Sequence, residues 1–104
     1  MRIGIPVERK TLEGRVALVP EACSALVARG HRVLLESGAG AASGFPDDLY
    51  EAQGVRILPD AAAVYGEAEL VVKVKEPVPA EYPLLRRDHL LFCFLHLAAL
   101  PELQ

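Results

Sequence analysis

Short apolar runs recur along the chain, and polar or amphipathic stretches separate them. Runs of this length that are rich in Val, Ile and Leu predict strands. The predicted strands are Arg2–Ile5, Arg32–Glu36, Val55–Leu58, Leu70–Val74 and Leu90–Leu95. The last run holds six consecutive apolar residues, which is typical of a strand covered on both faces.

The stretches between the strands carry helix signals. The predicted helices are Glu21–Arg29, Pro46–Gln53 and Asp60–Tyr65. In the first of them the apolar residues return at helical spacing, and Gly30 stands at the C-terminal glycine position. Asp60 is predicted to cap the third helix, and Gly66 is predicted to close it. The segment 76–83 contains three prolines and is predicted to be a loop, whereas the segment 97–104 resembles the start of a helix.

Strands that alternate with helices predict right-handed βαβ units. The predicted fold class is therefore α/β, a parallel sheet with helices on both faces in a Rossmann- or flavodoxin-like arrangement. Ligands of such sheets bind outside the carboxyl ends of the strands. The residues that directly follow each apolar run are therefore the first candidates for a site.

Composition narrows the class of protein. A chain of 104 residues with 52% hydrophobic positions is enough for a single domain, residues 1–104, with its own core. The net charge of −3 argues against disorder and against a nucleic acid partner held by charge. No apolar stretch approaches the roughly 20 residues of a membrane span. Cys23 and Cys93 lie in apolar runs, and the N-terminal residues do not have the pattern of a secretory signal peptide. We therefore expect buried, reduced thiols and a cytoplasmic location.

Four residues that lie within or after the apolar runs are weighed as candidates for chemistry. Arg15 could clamp a carboxylate with two hydrogen bonds, or be a solvated surface charge. Lys75, at the end of the fourth strand, could face an anionic substrate or reach to water. Lys73 lies on the same face of that strand, and we expect it to extend from the sheet to water. His96 follows the fifth strand and could exchange protons near neutral pH or bond a backbone carbonyl. Cys93 and His96 provide only two ligands, so no metal site is predicted.

The glycine-rich segment Gly38–Gly44 resembles a dinucleotide fingerprint but departs from it. Its third glycine comes one position late, and the segment follows the second strand. We interpret it as a turn that needs positive φ angles, with no cofactor bound.

Several motifs, in this order, resemble the N-terminal part of alanine dehydrogenase, within the alanine dehydrogenase/nicotinamide nucleotide transhydrogenase family. They are Arg2–Pro6, Arg15–Pro20, Gly30–His31, Glu36–Gly40, Lys73–Pro77 and Phe94–Ala99. The last two favour alanine dehydrogenase over the transhydrogenase. A departure is Val19, which stands where the family usually has threonine and removes a side-chain cap from the next helix.

The resemblance implies an NAD-dependent conversion of L-alanine to pyruvate and ammonia. It implies that Arg15 and Lys75 bind the substrate, that Lys75 also stabilises developing charge, and that His96 is the proton donor and acceptor. It further implies a substrate domain separate from an NAD-binding domain, with the NAD-binding domain absent from this chain. We therefore expect no cofactor bound by this chain alone, a pyruvate or L-alanine ligand, and a homo-oligomer.

Three hypotheses about function stay open at the level of sequence. The first is the substrate-binding part of an alanine dehydrogenase-like oxidoreductase that is inactive alone. The second is a standalone binding or regulatory module with the same fold. The third is a fragment of a protein related to the transhydrogenase alpha subunit or to saccharopine dehydrogenase.

Overall fold

A computed structural model describes residues 1–9, 16–74 and 78–93 of the chain. Within these residues five strands form one sheet in the order β3-β2-β1-β4-β5, and every pair of neighbours is parallel. The strands are β1 Arg2–Ile5, β2 Arg32–Glu36, β3 Arg56–Leu58, β4 Leu70–Lys73 and β5 Leu90–Cys93. The predicted α/β class and parallel sheet are confirmed. The predicted end of the fifth strand and the helix start at 97–104 lie outside the described residues.

Helices cover the two faces of the sheet. The α-helices are α1 Pro20–Ala28, α2 Asp47–Glu51 and α3 Ala61–Glu67. Ile5 and Leu35 belong to the core cluster that also contains Cys23 of α1 and Tyr50 of α2. Leu34 points to the opposite face and clusters with α3. The register explains this division, because alternate residues of paired strands point to opposite sides.

Four helix ends were predicted from the sequence, and the structure confirms three of them. The Asp60 side chain accepts a hydrogen bond from the Ala63 amide at 2.8 Å, as predicted. Gly30 has a φ of 91°, and its amide donates to the Val27 carbonyl. The first helix begins after Val19 without a side-chain cap. Only Gly66 departs, because α3 continues through it.

The proline-rich segment is more ordered than the sequence predicts. It was expected to be a loop, but Pro79–Leu84 forms a 3-10 helix. Proline fixes φ near the helical value and lacks only an amide that the first turn leaves unpaired, so Pro79 starts such a helix at little cost. The Glu81 side chain accepts a bond from the Val78 amide and completes the first turn.

The glycine-rich segment is a turn fastened to α2. Gly38 and Gly44 both have φ near 85°, which confirms the need for glycine at these positions. The Asp47 carboxylate accepts bonds from the Gly38 amide and from the Ser37 hydroxyl, at 2.9 and 2.7 Å. A short 3-10 helix, Ala41–Ser43, lies inside the turn.

Gly4 lets α3 approach the sheet closely, so a larger residue at this position should destabilise the fold. A Cβ at Gly4 would lie 2.6 Å from Ala68 Cβ and 2.8 Å from Val64 Cγ1. Gly4→Ala should therefore lower the free energy of unfolding by about 1–3 kcal/mol, measured by urea denaturation. Gly66→Ala is the control, because a Cβ there meets no atom within 4 Å and should stabilise helix α3 by about 0.5–1 kcal/mol. Equal stability of the two variants would contradict this packing.

Candidate functional site

The carboxyl edge of the sheet is where the three predicted site residues belong by sequence. Arg15, Lys75 and His96 themselves lie outside the described residues, so their positions stay predictions. Two of their chain neighbours are placed. Val74 directly follows β4, and Cys93 ends β5, which pairs with β4 through the register Lys73 to Cys93. Val74 and Cys93 therefore lie at the same edge of the sheet, at the ends of adjacent strands.

Lys73 is buried at this edge, contrary to the expectation that it reaches water. Its side chain is 1% exposed. Its Nζ lies 3.4 Å from Glu8 Oε1 and 3.4 Å from Glu81 Oε2. The correction has a physical reason: the α3 face of β4 is covered at Lys73, and two carboxylates compensate the buried ammonium there.

Each of the two carboxylates also holds a backbone amide. Glu8 Oε2 accepts from the Val74 amide at 2.9 Å. Glu81 Oε1 accepts from the Val78 amide at 3.0 Å. The segment after β1 and the start of the 3-10 helix are thereby joined to the end of β4 through charged hydrogen bonds, which are stronger than neutral ones.

Tyr65 of α3 completes what we call the buried cluster, made of Glu8, Tyr65, Lys73 and Glu81. The Tyr65 hydroxyl donates to Glu81 Oε2 at 2.8 Å. Burial, and then the neighbouring Glu81 carboxylate, raise the pKa of Tyr65 far above its usual value. The phenol therefore stays protonated and acts as a donor. It also fixes which Glu81 oxygen faces Lys73.

A second carboxylate arrangement holds the segment that leaves β1. Glu36, at the end of β2, is 7% exposed. Its Oε1 accepts from the Val7 amide at 2.9 Å, and its Oε2 pairs with Arg9 at 2.7 Å. Residues 7–9 are therefore fixed on one side to β2 and, through Glu8, on the other side to β4. The stretch that leads toward Arg15 starts from a constrained position.

Sequence reasoning missed Glu8 and Glu81 as parts of this edge. Glu8 stands in a polar segment without period, and Glu81 stands in the proline-rich segment. A usable signal was Lys73 itself, because a lysine inside an apolar strand requires buried partners of opposite charge. The sequence does not say which acidic residues these are.

The opposite, amino edge of the sheet carries a basic cavity of about 660 Å³. It is lined by Arg2, Arg32 and Arg56, together with His31 and Glu67. Arg2 and Arg56 are engaged with acidic side chains, Glu69 at 3.9 Å and Glu67 at 3.5 Å. Their side chains are half exposed or more, so these ion pairs contribute little energy.

Among the residues that the structure describes, no group of three or more His, Cys, Asp or Glu is arranged to hold a metal ion. In the same part of the chain, no helix has the length and apolar character needed to cross a membrane.

The buried Cys23 thiol and Tyr65 phenol predict a loss of stability at high pH. Burial raises the pKa of the Cys23 thiol from 9.0 to about 11, and burial also raises the pKa of Tyr65. A group whose pKa is raised by folding stabilises the fold below its unfolded pKa and loses that contribution as pH rises. The urea midpoint should therefore fall as pH rises above about 9, the usual range of a thiol pKa. Cys23→Ala should flatten the first part of that fall, and an unchanged slope would contradict the assignment.

Comparisons with known proteins agree with one another. The family model described as alanine dehydrogenase/PNT, N-terminal domain, matches residues 4–104. The chain is 52% identical over 103 residues to alanine dehydrogenase of Bacillus subtilis, with 99% of this chain and 27% of that protein covered. It is 48% identical over 99 residues to alanine dehydrogenase of Mycobacterium tuberculosis, with 95% and 27% covered.

Solved structures give the same result. An L-alanine dehydrogenase structure matches with a TM-score of 0.87 and 45% identity, over 99% of this chain and 28% of that one. A transhydrogenase from Sinorhizobium meliloti matches with a TM-score of 0.80 and 33% identity, over 88% of this chain and 27% of that one. The chain thus spans about a quarter of the length of these relatives.

Proposed function

The chain belongs to the alanine dehydrogenase/PNT N-terminal domain family, and we propose that it is the substrate-binding part of an alanine dehydrogenase. The reaction interconverts L-alanine and pyruvate plus ammonia with NAD. The observation that carries the proposal is the 52% identity over 103 residues, which includes the whole carboxyl edge of the sheet. The buried cluster supports it, because it holds the ends of segments that lead to the proposed site residues.

Three residues share the chemistry in this proposal. Arg15 binds the carboxylate of pyruvate or L-alanine through two parallel hydrogen bonds and so orients the α-carbon. Lys75 places a positive charge beside the carbonyl region and stabilises negative charge that develops there. His96 gives a proton to the oxygen that leaves during breakdown of the carbinolamine and takes one in the reverse direction.

The glycine-rich turn, within the described part of the chain, does not fit the phosphates of NAD. A phosphate would need the free amides of the glycine-rich turn, but the Gly38 amide already donates to the Asp47 carboxylate at 2.9 Å. The helix that follows has Asp47 and Asp48 in its first turn, where negative charge disfavours an anion. A Cβ-sized group at Gly40 would meet Tyr50 and the Phe45 carbonyl within 3 Å. We therefore propose that residues 1–104 bind the carbon substrate and that NAD is held by a separate domain.

A transhydrogenase-type role is the second candidate within the family. The S. meliloti match favours it, at 33% identity. The alanine dehydrogenase matches reach 45–52% identity over 99% of the chain, so we propose the dehydrogenase.

Location and assembly follow from the same proposal. We propose a cytoplasmic protein that associates with copies of itself. Cys23 and Cys93 are buried thiols, as suits a reducing compartment. Leu90 and Phe92 of β5 are 55% and 44% exposed, and exposed apolar side chains side by side are typical of a covered surface.

Pyruvate titration tests the proposed function. The ¹⁵N-labelled chain should bind pyruvate with a Kd on the order of 1 mM, as fits a half-site with two charged contacts. Acetone, which lacks the carboxylate, is the matched control and should produce no saturable shift. Purified chain mixed with NAD and L-alanine should form no NADH. Pyruvate shifts no larger than those of acetone would contradict the proposed function.

A further inference from the structure

Three neighbouring strands of the sheet each begin with an arginine. β1, β2 and β3 lie side by side and start at Arg2, Arg32 and Arg56. Arg2 is the register partner of Arg32, and Arg56 is the partner of Leu34, two positions further along β2. Because the side chains of a strand alternate between the two faces, this register puts all three arginines on the same face. The amino edge of the sheet therefore concentrates three positive charges.

The arginines line a cavity that is large enough for a small molecule. Its volume of about 660 Å³ lies in the range of ligand sites in proteins. Among the described residues, the charged side chains that line it are the three arginines and one carboxylate, Glu67. The whole chain, in contrast, has a net charge of −3. A concave surface with this local excess of positive charge attracts anions.

Stabilisation of the fold explains only part of this arrangement. Arg2 Nε donates to the Glu67 carbonyl at the end of α3, at 2.7 Å, and so compensates the negative end of that helix. Arg32 has no comparable contact, because within the described part of the chain no hydrogen bond or ion pair engages its exposed side chain. Like charges at one edge repel one another, and a bound anion removes that repulsion.

The other two arginines make contacts that a ligand can share or displace. Arg56 lies 3.5 Å from the Glu67 carboxylate, and Arg2 lies 3.9 Å from that of Glu69. The side chains of these pairs are 42–66% exposed, and ion pairs this exposed contribute little. A guanidinium carries N–H groups on each of its nitrogens, so contact with one carboxylate oxygen leaves other donors for a ligand.

We propose that the amino edge binds a phosphate group, either free or carried by a small organic molecule. Guanidinium groups bond phosphate oxygens through paired N–H donors. A phosphate offers more oxygens than a carboxylate and a second negative charge, so several arginines can contact it together. The site is independent of the proposed function, since it uses the amino ends of the strands and the proposed substrate site uses the carboxyl ends.

Titration of the ¹⁵N-labelled chain with inorganic phosphate and with glycerol 3-phosphate tests this site. Saturable shifts should appear at the amides of Arg32, Gly54 and Arg56, with a Kd on the order of 1 mM. Tighter binding of glycerol 3-phosphate would assign the site to an organic phosphate, and equal or weaker binding would assign it to free phosphate. Sodium chloride at the same ionic strength is the control. Shifts no larger than those of sodium chloride, or shifts confined to the carboxyl edge, would overturn the proposal.

Two arginine variants separate a built site from a general effect of charge. Arg32→Ala and Arg87→Ala each remove one exposed positive charge, but Arg87 does not line the cavity. With the tighter of the two probes, the Kd should rise about tenfold or more in Arg32→Ala, as expected for loss of a charged hydrogen bond. It should stay within about twofold in Arg87→Ala, because salt screens distant surface charges. Equal weakening in both variants, or none in Arg32→Ala, would contradict a built site.

Glu67→Gln should change the affinity in the opposite direction. The substitution removes the negative charge from the cavity and leaves the backbone carbonyl that accepts from Arg2. Phosphate should bind about threefold tighter or more, because one repulsive charge is gone. Glu51→Gln is the matched control, since Glu51 is exposed and lies outside the cavity, and its Kd should not change. Unchanged or weaker binding in Glu67→Gln would count against the proposal.

Discussion

Lys73→Met should lower the free energy of unfolding by about 3–5 kcal/mol, the usual cost of breaking a buried ion pair from one side. The variant leaves the Glu8 and Glu81 side chains, 3% and 1% exposed, without the ammonium that lies between them. Methionine fills the space of the lysine stem but cannot compensate either charge. Urea denaturation with tyrosine fluorescence or circular dichroism measures the loss.

The triple variant Glu8→Gln, Lys73→Met, Glu81→Gln is the control for this prediction. It removes all three charges together while both glutamines still offer an oxygen to the Val74 and Val78 amides. Most of the lost stability should return, because no uncompensated charge remains in the interior. A loss below about 1 kcal/mol in Lys73→Met, the size of a surface pair, would show that the cluster is more hydrated than its exposure indicates.

Arg15→Ala and Lys75→Ala should each weaken pyruvate binding by about 10- to 100-fold, the value of one charge-assisted contact. Arg15→Lys should fall between the original and the alanine variant, because an ammonium keeps the charge but loses the paired geometry of a guanidinium. The Kd comes from the same titration of the labelled chain.

Arg32→Ala is the matched control for the arginine. Arg32 is exposed and stands at the amino edge, in the basic cavity of about 660 Å³. Its removal changes the net charge as Arg15→Ala does, so a general effect of charge would appear in both. Equal weakening by Arg15→Ala and Arg32→Ala would mean that pyruvate responds to net charge and not to a built site.

Much of the fold could be predicted from the sequence because local patterns decide it. β1 and β2 have the predicted bounds, β3 and β4 are each one residue shorter than predicted, and β5 begins at the predicted residue. Apolar runs between glycine or proline signals have few alternatives to buried parallel strands. Asp60 capped its helix as predicted because that bond forms within one turn of the chain.

The buried cluster could not be predicted because its contacts are not local. Glu8 and Val74 are 66 positions apart in sequence, yet they share a hydrogen bond. Glu81 lies in a segment that three prolines mark as a loop, and only its side-chain bond to Val78 and its place beside Tyr65 reveal its role. A single sequence indicates that a lysine in a strand needs partners but not which carboxylates provide them.

The three proposed site residues, unlike the fold and the buried cluster, are known only from the sequence. Arg15, Lys75 and His96 were predicted from strand ends and from resemblance, and their assignment stays a prediction. The described structure shows residues that precede them in the chain: the fixed segment after β1, the fixed end of β4 and the end of β5 beside it.

Mapping of the pyruvate shifts onto the chain tests the central claim, that the carboxyl edge of the sheet holds a carboxylate substrate. The claim predicts saturable shifts at Glu8, Val74, Val78 and Cys93, all with one Kd, and none at the arginines of the amino edge. Shifts centred on Arg2, Arg32 and Arg56, or no saturable shift at all, would contradict it.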